Sequence, residues 1–119
     1  MSDMQVDLVA VDRQIWSGTA TFVLARTVEG EIGIMPKHSP LVAQLDYAMV
    51  RIDSADESQT WAVDGGFVSV EEERVSILVD DAQPADDIDA EQAQQEFDSE
   101  DELTHARGKA KLRALGRVV

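Results

Sequence analysis

The sequence changes period near Pro84, and that change restricts the available architectures more than any other feature. Upstream, apolar and β-branched residues come in short runs separated by turn residues at close intervals. This is the rhythm of consecutive strands in a sandwich or barrel rather than of alternating β/α units. Val6, Leu8 and Ala10 alternate with Asp7, Val9 and Val11; residues 19–26 are rich in β-branched and aromatic side chains; residues 31–35 form a short run closed by Pro36. Residues 41–52 are apolar enough for one or two strands, with Asp46 the expected break, and the polar stretch 53–59 reads as a loop. Asp64-Gly65-Gly66 reads as a tight hairpin, because glycine reaches positive φ without steric cost. Glu71, Glu72 and Glu73 then turn the chain into a last run at residues 74–79.

Downstream the pattern becomes helical. Asp86 is the expected N-cap of a helix carrying Ile88, Ala93 and Phe97, and Ser99 with Glu102 forms a capping-box pattern for a second. The pattern predicts lengths of about twelve and sixteen residues. Residues 86–102 hold nine acids and no base, whereas residues 103–119 hold five bases and no acid. Acids at the second helix start and Arg113 and Arg117 near its end complement the helix macrodipole. Both apolar stripes are thin, and Gly108 costs an isolated helix about 1 kcal/mol relative to alanine. A helical hairpin that can detach is expected, so the chain divides into a β-sandwich domain at 1–85 and a helical hairpin at 86–119.

The 119 residues suffice for about one core. Against 24 acids stand 10 lysines and arginines, a formal net charge of -14, which disfavours nucleic acid and bare anionic membrane as partners. With no cysteine, thiolate catalysis and Cys-based metal sites are excluded. Neither a signal peptide nor a membrane span is legible, so the expected location is cytoplasmic, with any membrane role exercised through another protein.

Catalytic chemistry is equally hard to place. His38 and His105 lie in different segments with no companion ligands, Ser17 and Ser39 sit in no nucleophile-elbow pattern, and Asp86-Asp87-Ile88-Asp89 lacks the spacing of a calcium loop. Gly30-Glu31-Ile32-Gly33 lacks the lysine and hydroxyl of a phosphate loop and reads as a turn. Trp16 and Trp61 lack the basic surroundings of a nucleic-acid platform. No catalytic residue and no metal site are expected.

Residues 30–45, G-E-I-G-I-M-P-K-H-S-P-L-V-A-Q-L, resemble the signature loop of the epsilon subunit of F-type ATP synthases. Asp64-Gly65-Gly66-Phe67 with Val70, followed by Val75-Ser76-Ile77-Leu78, is similar to that family's second marker, and Trp16-Ser17-Gly18 is similar to its opening turn. The resemblance covers nearly the whole chain. It implies a non-catalytic rotor subunit of the central stalk, with a ten-stranded β-sandwich followed by a two-helix hairpin. Its partners would be the gamma subunit and the c-ring, and through its C-terminal helices the catalytic head. It would couple proton-driven ring rotation to ATP synthesis and restrain ATP hydrolysis. It would sit peripherally at the cytoplasmic face of a bacterial plasma membrane.

By the same resemblance, the contact with c-ring or gamma falls on Gly30, Glu31, Gly33, Pro36, His38 and Pro40. The prolines stiffen the loop, and Glu31 is the candidate for a charge-assisted bond to a c-ring arginine. The plain alternative for Glu31 is a solvated turn acid. The regulatory tail would comprise Asp89, Arg107, Lys109, Lys111, Arg113 and Arg117, whose bases either reach the catalytic head or pair with Glu91, Glu96 and Glu100. The tail departs from the family in two respects, its composition and a length shorter than the family's longer versions, which weakens the expectation that it extends far into the catalytic head. Gln92 stands where many bacterial members carry the arginine of an I-D-x-x-R-A motif, which removes bidentate phosphate recognition. No cofactor is therefore expected, ATP included. The short tail resembles the actinobacterial form. A free nucleotide sensor of the same fold is the competing binding-module reading, and a small carboxylate enzyme the competing catalytic one.

Overall fold

In the computed structural model, which describes residues 3–37 and 39–119, strand β1 (Met4–Ala10) realises the alternation read from the sequence. Met4, Val6, Leu8 and Ala10 are buried, while Gln5, Asp7 and Val9 remain partly open. The chain continues through β2 (Gln14–Ala20), β3 (Phe22–Thr27), β4 (Gly30–Ile34), β5 (Leu41–Asp53), β6 (Ser58–Glu71), β7 (Arg74–Val79) and β8 (Ala82–Pro84). A single 3-10 turn at Ala85–Asp87 leads to α1 (Ala90–Phe97) and α2 (Glu102–Ala114). The strand order is β2-β1-β7-β6-β5-β3-β4, with β8 on β6 and β1 parallel to β7.

The described residues form eight strands, not the ten that the resemblance implies. The difference lies in β5 and β6, of 13 and 14 residues, each of which serves both layers of the sandwich. Residues 41–45 of β5 pair with 66–70 of β6 next to β7. Residues 47–53 pair with 58–64 between β3 and β8. Asp46 thus marks an irregularity within one strand rather than an end. The core fills the space between layers with Leu8, Val23, Ile34, Leu45, Val50, Ile52, Val63, Val68 and Ile77, each giving about 1.5–3 kcal/mol on burial. Trp16 and Trp61 meet edge to face at 6.4 Å beside it.

Asp64-Gly65-Gly66 is not a hairpin: β6 runs through it. Gly66 has φ +134°, and a Cβ there would stand 1.9 Å from the Leu78 carbonyl oxygen. The glycine is required by the close approach of the β7 backbone where β6 changes layer. The tight hairpin falls at Glu72 and Glu73, both non-glycine residues at positive φ (48° and 64°).

Both helix caps lie downstream of the expected positions. The 3-10 turn consumes Asp86 and Asp87, and Ile88 stays extended to bury its side chain, so Asp89 caps α1 instead. Ser99 Oγ accepts the Asp101 amide in the interhelical turn, and Asp101 caps α2 through Thr104. The helices span 8 and 13 residues, shorter than expected. Gly116, at φ +88°, ends α2 in a Schellman motif, with the Arg117 amide donating to Leu112 O at 3.0 Å. The hairpin packs on the outer face of β5 and β6, burying Ala93, Ala110, Leu112 and Ala114 with Ala62 and Ile88, flanked by Tyr47 and Met49.

Candidate functional site

Two regions hold the residues singled out from sequence. The first is the sheet edge formed by β4, which among the described residues pairs only with β3. Gly30 has φ +131° and opens the strand from the Val28–Glu29 turn. Thr27 Oγ1 fastens that turn by donating to Gly30 O at 2.7 Å. Glu31 is exposed, stands opposite Arg26 in the ladder, and makes no ion pair among the described residues. Gly33 lies under the Phe22 ring, where a Cβ would be 2.9 Å from two ring carbons. Pro36 leads into Lys37 at φ +70°, and Pro40 directly precedes β5. His38 lies outside the described residues.

The second region is the seam between hairpin and sandwich. Asp89 accepts from the Glu91 and Gln92 amides at 2.9 and 3.3 Å, a cap rather than a ligand. Arg107 bonds to Asp64 of β6 at 3.4 Å and lies 5.7 Å above the Tyr47 ring. It is the one ion pair joining the helices to the sandwich among the described residues. Lys111, one turn on, pairs within the hairpin to Glu96 at 2.6 Å, with both side chains largely covered. Arg113 donates to Val119 O through Nε and Nη2. Burial, then the charge of Arg26, draws its pKa down, while Glu31 and Asp46 oppose the shift. The end of α2 therefore lies within electrostatic reach of the β4 edge. Lys109 is half-buried and Arg117 exposed beyond the helix. Of the five tail bases, the structure brings two, Arg107 and Lys111, to one cleft.

That cleft, about 280 Å³, is also lined by Asp64, Asp81, Gln83 and Glu96. Desolvation raises the Asp64 pKa, reinforced by Asp81 and Asp80 and opposed chiefly by Arg107. Asp101, receiving both the Thr104 amide and hydroxyl, has its pKa lowered. No group of three or more His, Cys, Asp or Glu poised for a metal occurs among the described residues. Sequence reasoning missed the role of Asp64, read as part of a turn and of the second family marker, and that of Gly108, read as a helix-weakening residue. A Cβ on Gly108 would meet Phe97 N at 2.2 Å, so the two helices touch backbone to backbone there.

Residues 3–85 match the family model described as ATP synthase, Delta/Epsilon chain, beta-sandwich domain. An ATP synthase epsilon chain from Mycolicibacterium smegmatis is 56% identical over 120 residues, covering 99% of each chain. The chain belongs to the ATP synthase epsilon chain family. The epsilon chain of Mycobacterium tuberculosis is 53% identical over the same coverage. Among solved structures, a chain of the Euglena gracilis mitochondrial ATP synthase OSCP/F1/c-ring assembly aligns with TM-score 0.72 at 24% identity, covering 98% of this chain and 81% of its own. A chain of the Tetrahymena thermophila mitochondrial ATP synthase central stalk and c-ring aligns at 0.66 and 16%. At those identities the likeness concerns the fold. A β-sandwich and a two-helix hairpin are both present here, and no helix among the described residues is long and apolar enough to cross a membrane.

Proposed function

We propose that the chain is a non-catalytic rotor subunit in the central stalk of an F-type ATP synthase. In this role it couples proton-driven c-ring rotation to ATP synthesis from the cytoplasmic face of a bacterial membrane. The observation that carries this reading is the 56% identity to an epsilon chain along 99% of both chains. The open β4 edge, with Glu31 in no ion pair among the described residues and Pro36 and Pro40 bracketing the following loop, meets basic groups of the c-ring loops. The gamma subunit lies against the outer face of β7, β6 and the start of β5, where Val42 and Leu78 stand exposed beside the small Ser69 and Ser76.

The hairpin restrains ATP hydrolysis when it leaves the sandwich. Arg117 is open from the start, Lys109 is half-buried, and undocking frees Arg107 for acids of the catalytic head. Nucleotide is not the release signal. Both cations of the cleft already face Asp64 and Glu96, Asp81 adds negative charge, and Gln92 offers no cation. The test is ATP hydrolysis and proton-coupled synthesis in vesicles holding the parent complex, with the full chain or a chain ending at Ala85. Truncation is expected to raise hydrolysis while synthesis persists. Failure of the full chain to assemble with the complex refutes the reading.

A further inference from the structure

A groove of about 500 Å³ opens at the Gly65–Gly66 corner, between β5 and β6 on one side and the first turns of α2 on the other. Phe67 of the sandwich and Leu103 of the hairpin both line it, 52% and 59% exposed. Asp46, Asp64, Asp80 and Glu102 also line it, and among the described residues no basic one does. Asp64 is engaged by Arg107, but Asp46, Asp80 and Glu102 make no ion pair among the described residues. Two large apolar side chains beside four carboxylates, one of which is in an ion pair among the described residues, disfavour phosphates and anionic lipid. They complement a protein segment whose apolar side chains are framed by lysine or arginine.

We propose that this groove docks a basic, apolar-tipped segment of a partner protein, and that it does so only while α2 is seated on the sandwich. The second clause follows from the walls. Phe67 belongs to β6 and Leu103 to α2, so undocking removes one of the two apolar side chains together with Glu102 and Ala106. By linkage, a segment that binds the docked form alone must stabilise it. The groove borders the face assigned above to gamma, because Phe67 stands opposite Leu78 in the β6–β7 ladder, but its α2 wall lies outside that face.

The experiment uses the full chain, isotope-labelled for NMR, titrated at low salt with a synthetic twelve-residue amphipathic peptide of leucine and lysine. A second peptide replaces each leucine by serine. Expected are amide shifts concentrated at residues 44–47, 64–67 and 102–106, and slower amide exchange along α2. Affinity should fall at least about fivefold on removing either apolar partner, by Phe67→Ser, by Leu103→Ser or by the serine peptide. Leu103→Ser alters an exposed helix residue and leaves the sandwich intact, so it keeps the test available should Phe67→Ser fold poorly. Several results overturn the proposal: no saturable binding, equal binding of the serine peptide, or shifts as large at Glu71, Glu72, Glu73, Asp56 and Glu57. The last pattern would mark a mere polyanion. Faster exchange in α2 on binding refutes the requirement for the docked state.

Discussion

Replacing Gly108 by alanine should weaken the hairpin, although the same change in an open helix strengthens it. Removing a helix-interior glycine is ordinarily worth about 1 kcal/mol. Here the new methyl would sit 2.2 Å from Phe97 N and 2.7 Å from both Ala93 O and the Glu96 carbonyl carbon. All three are backbone atoms, which no rotamer change can move aside. Ordinary carbon contacts lie near 3.5–4.0 Å, so α1 must retreat by more than about 1 Å, and a gap of that size forfeits a quarter to a half of each dispersion well it opens. Overpacking typically costs about 1–3 kcal/mol, and against backbone the upper end applies. The expected net is a loss of about 1–2 kcal/mol, felt by α1 and α2 and not by the sandwich. Urea denaturation of the full chain, followed together with amide exchange, reads both parts. Faster exchange at Ala93, Ala110 and Leu112 with β-strand amides unchanged is the expected result. A gain near 1 kcal/mol, with α-helical protection retained, would refute the backbone contact.

The β6–β7 turn should accept Glu72→Asn with Glu73→Gly as a stabilising pair. Both positions sit at positive φ, where a non-glycine costs about 1–2 kcal/mol, and an increase of about 1 kcal/mol in urea-melt stability is expected. Asp64 and Asp101 should respond oppositely to pH. Burial holds the folded pKa of Asp64 above its unfolded value, so its contribution is fully present below about pH 4 and is lost as pH rises through the folded value. Asp64→Asn should therefore dock the hairpin more firmly at neutral pH, seen as slower α2 exchange. Arg107→Ala, which leaves the carboxylate uncompensated, should loosen it. The Asp101 pKa is lowered, so its cap is intact above about pH 4 and fails as pH falls through the folded value. Asp101→Ala should remove that acid-side fraying from a circular-dichroism titration of the full chain.

Strand rhythm was readable because burial alternates with period two in β1 and β7, and the boundary near Pro84 because period and charge change together. The β4 strand and its closing proline were readable for the same local reasons. Features set by distant backbone were not. Gly65-Gly66 looks like a hairpin in any local window, and only Leu78, brought alongside by β7, makes it a crossing point. The caps slipped by two or three residues because burial of Ile88 and the Ser99 turn override local cap preference. In the tail, five bases in seventeen residues look equivalent. Their fates separate by helical phase: Arg107 and Lys111, four apart, face the seam, and Lys109 between them does not line it. The acid that receives Arg107 lies forty-three positions upstream, beyond any sequence window.

The two long strands also govern how the sandwich bears load. Because β5 and β6 each belong to both layers, the order from β4 to β2 is one unbroken series of hydrogen-bonded neighbours. Stress applied at the β4 edge travels along peptide bonds and strand pairs to the far edge without crossing a side-chain interface. Two sheets held together by packing alone can slide over one another, whereas these layers cannot slip without rupturing the pairing of β5 with β6. A pull across the domain should accordingly meet a stiff, single-step mechanical response, with the helical hairpin outside the load path.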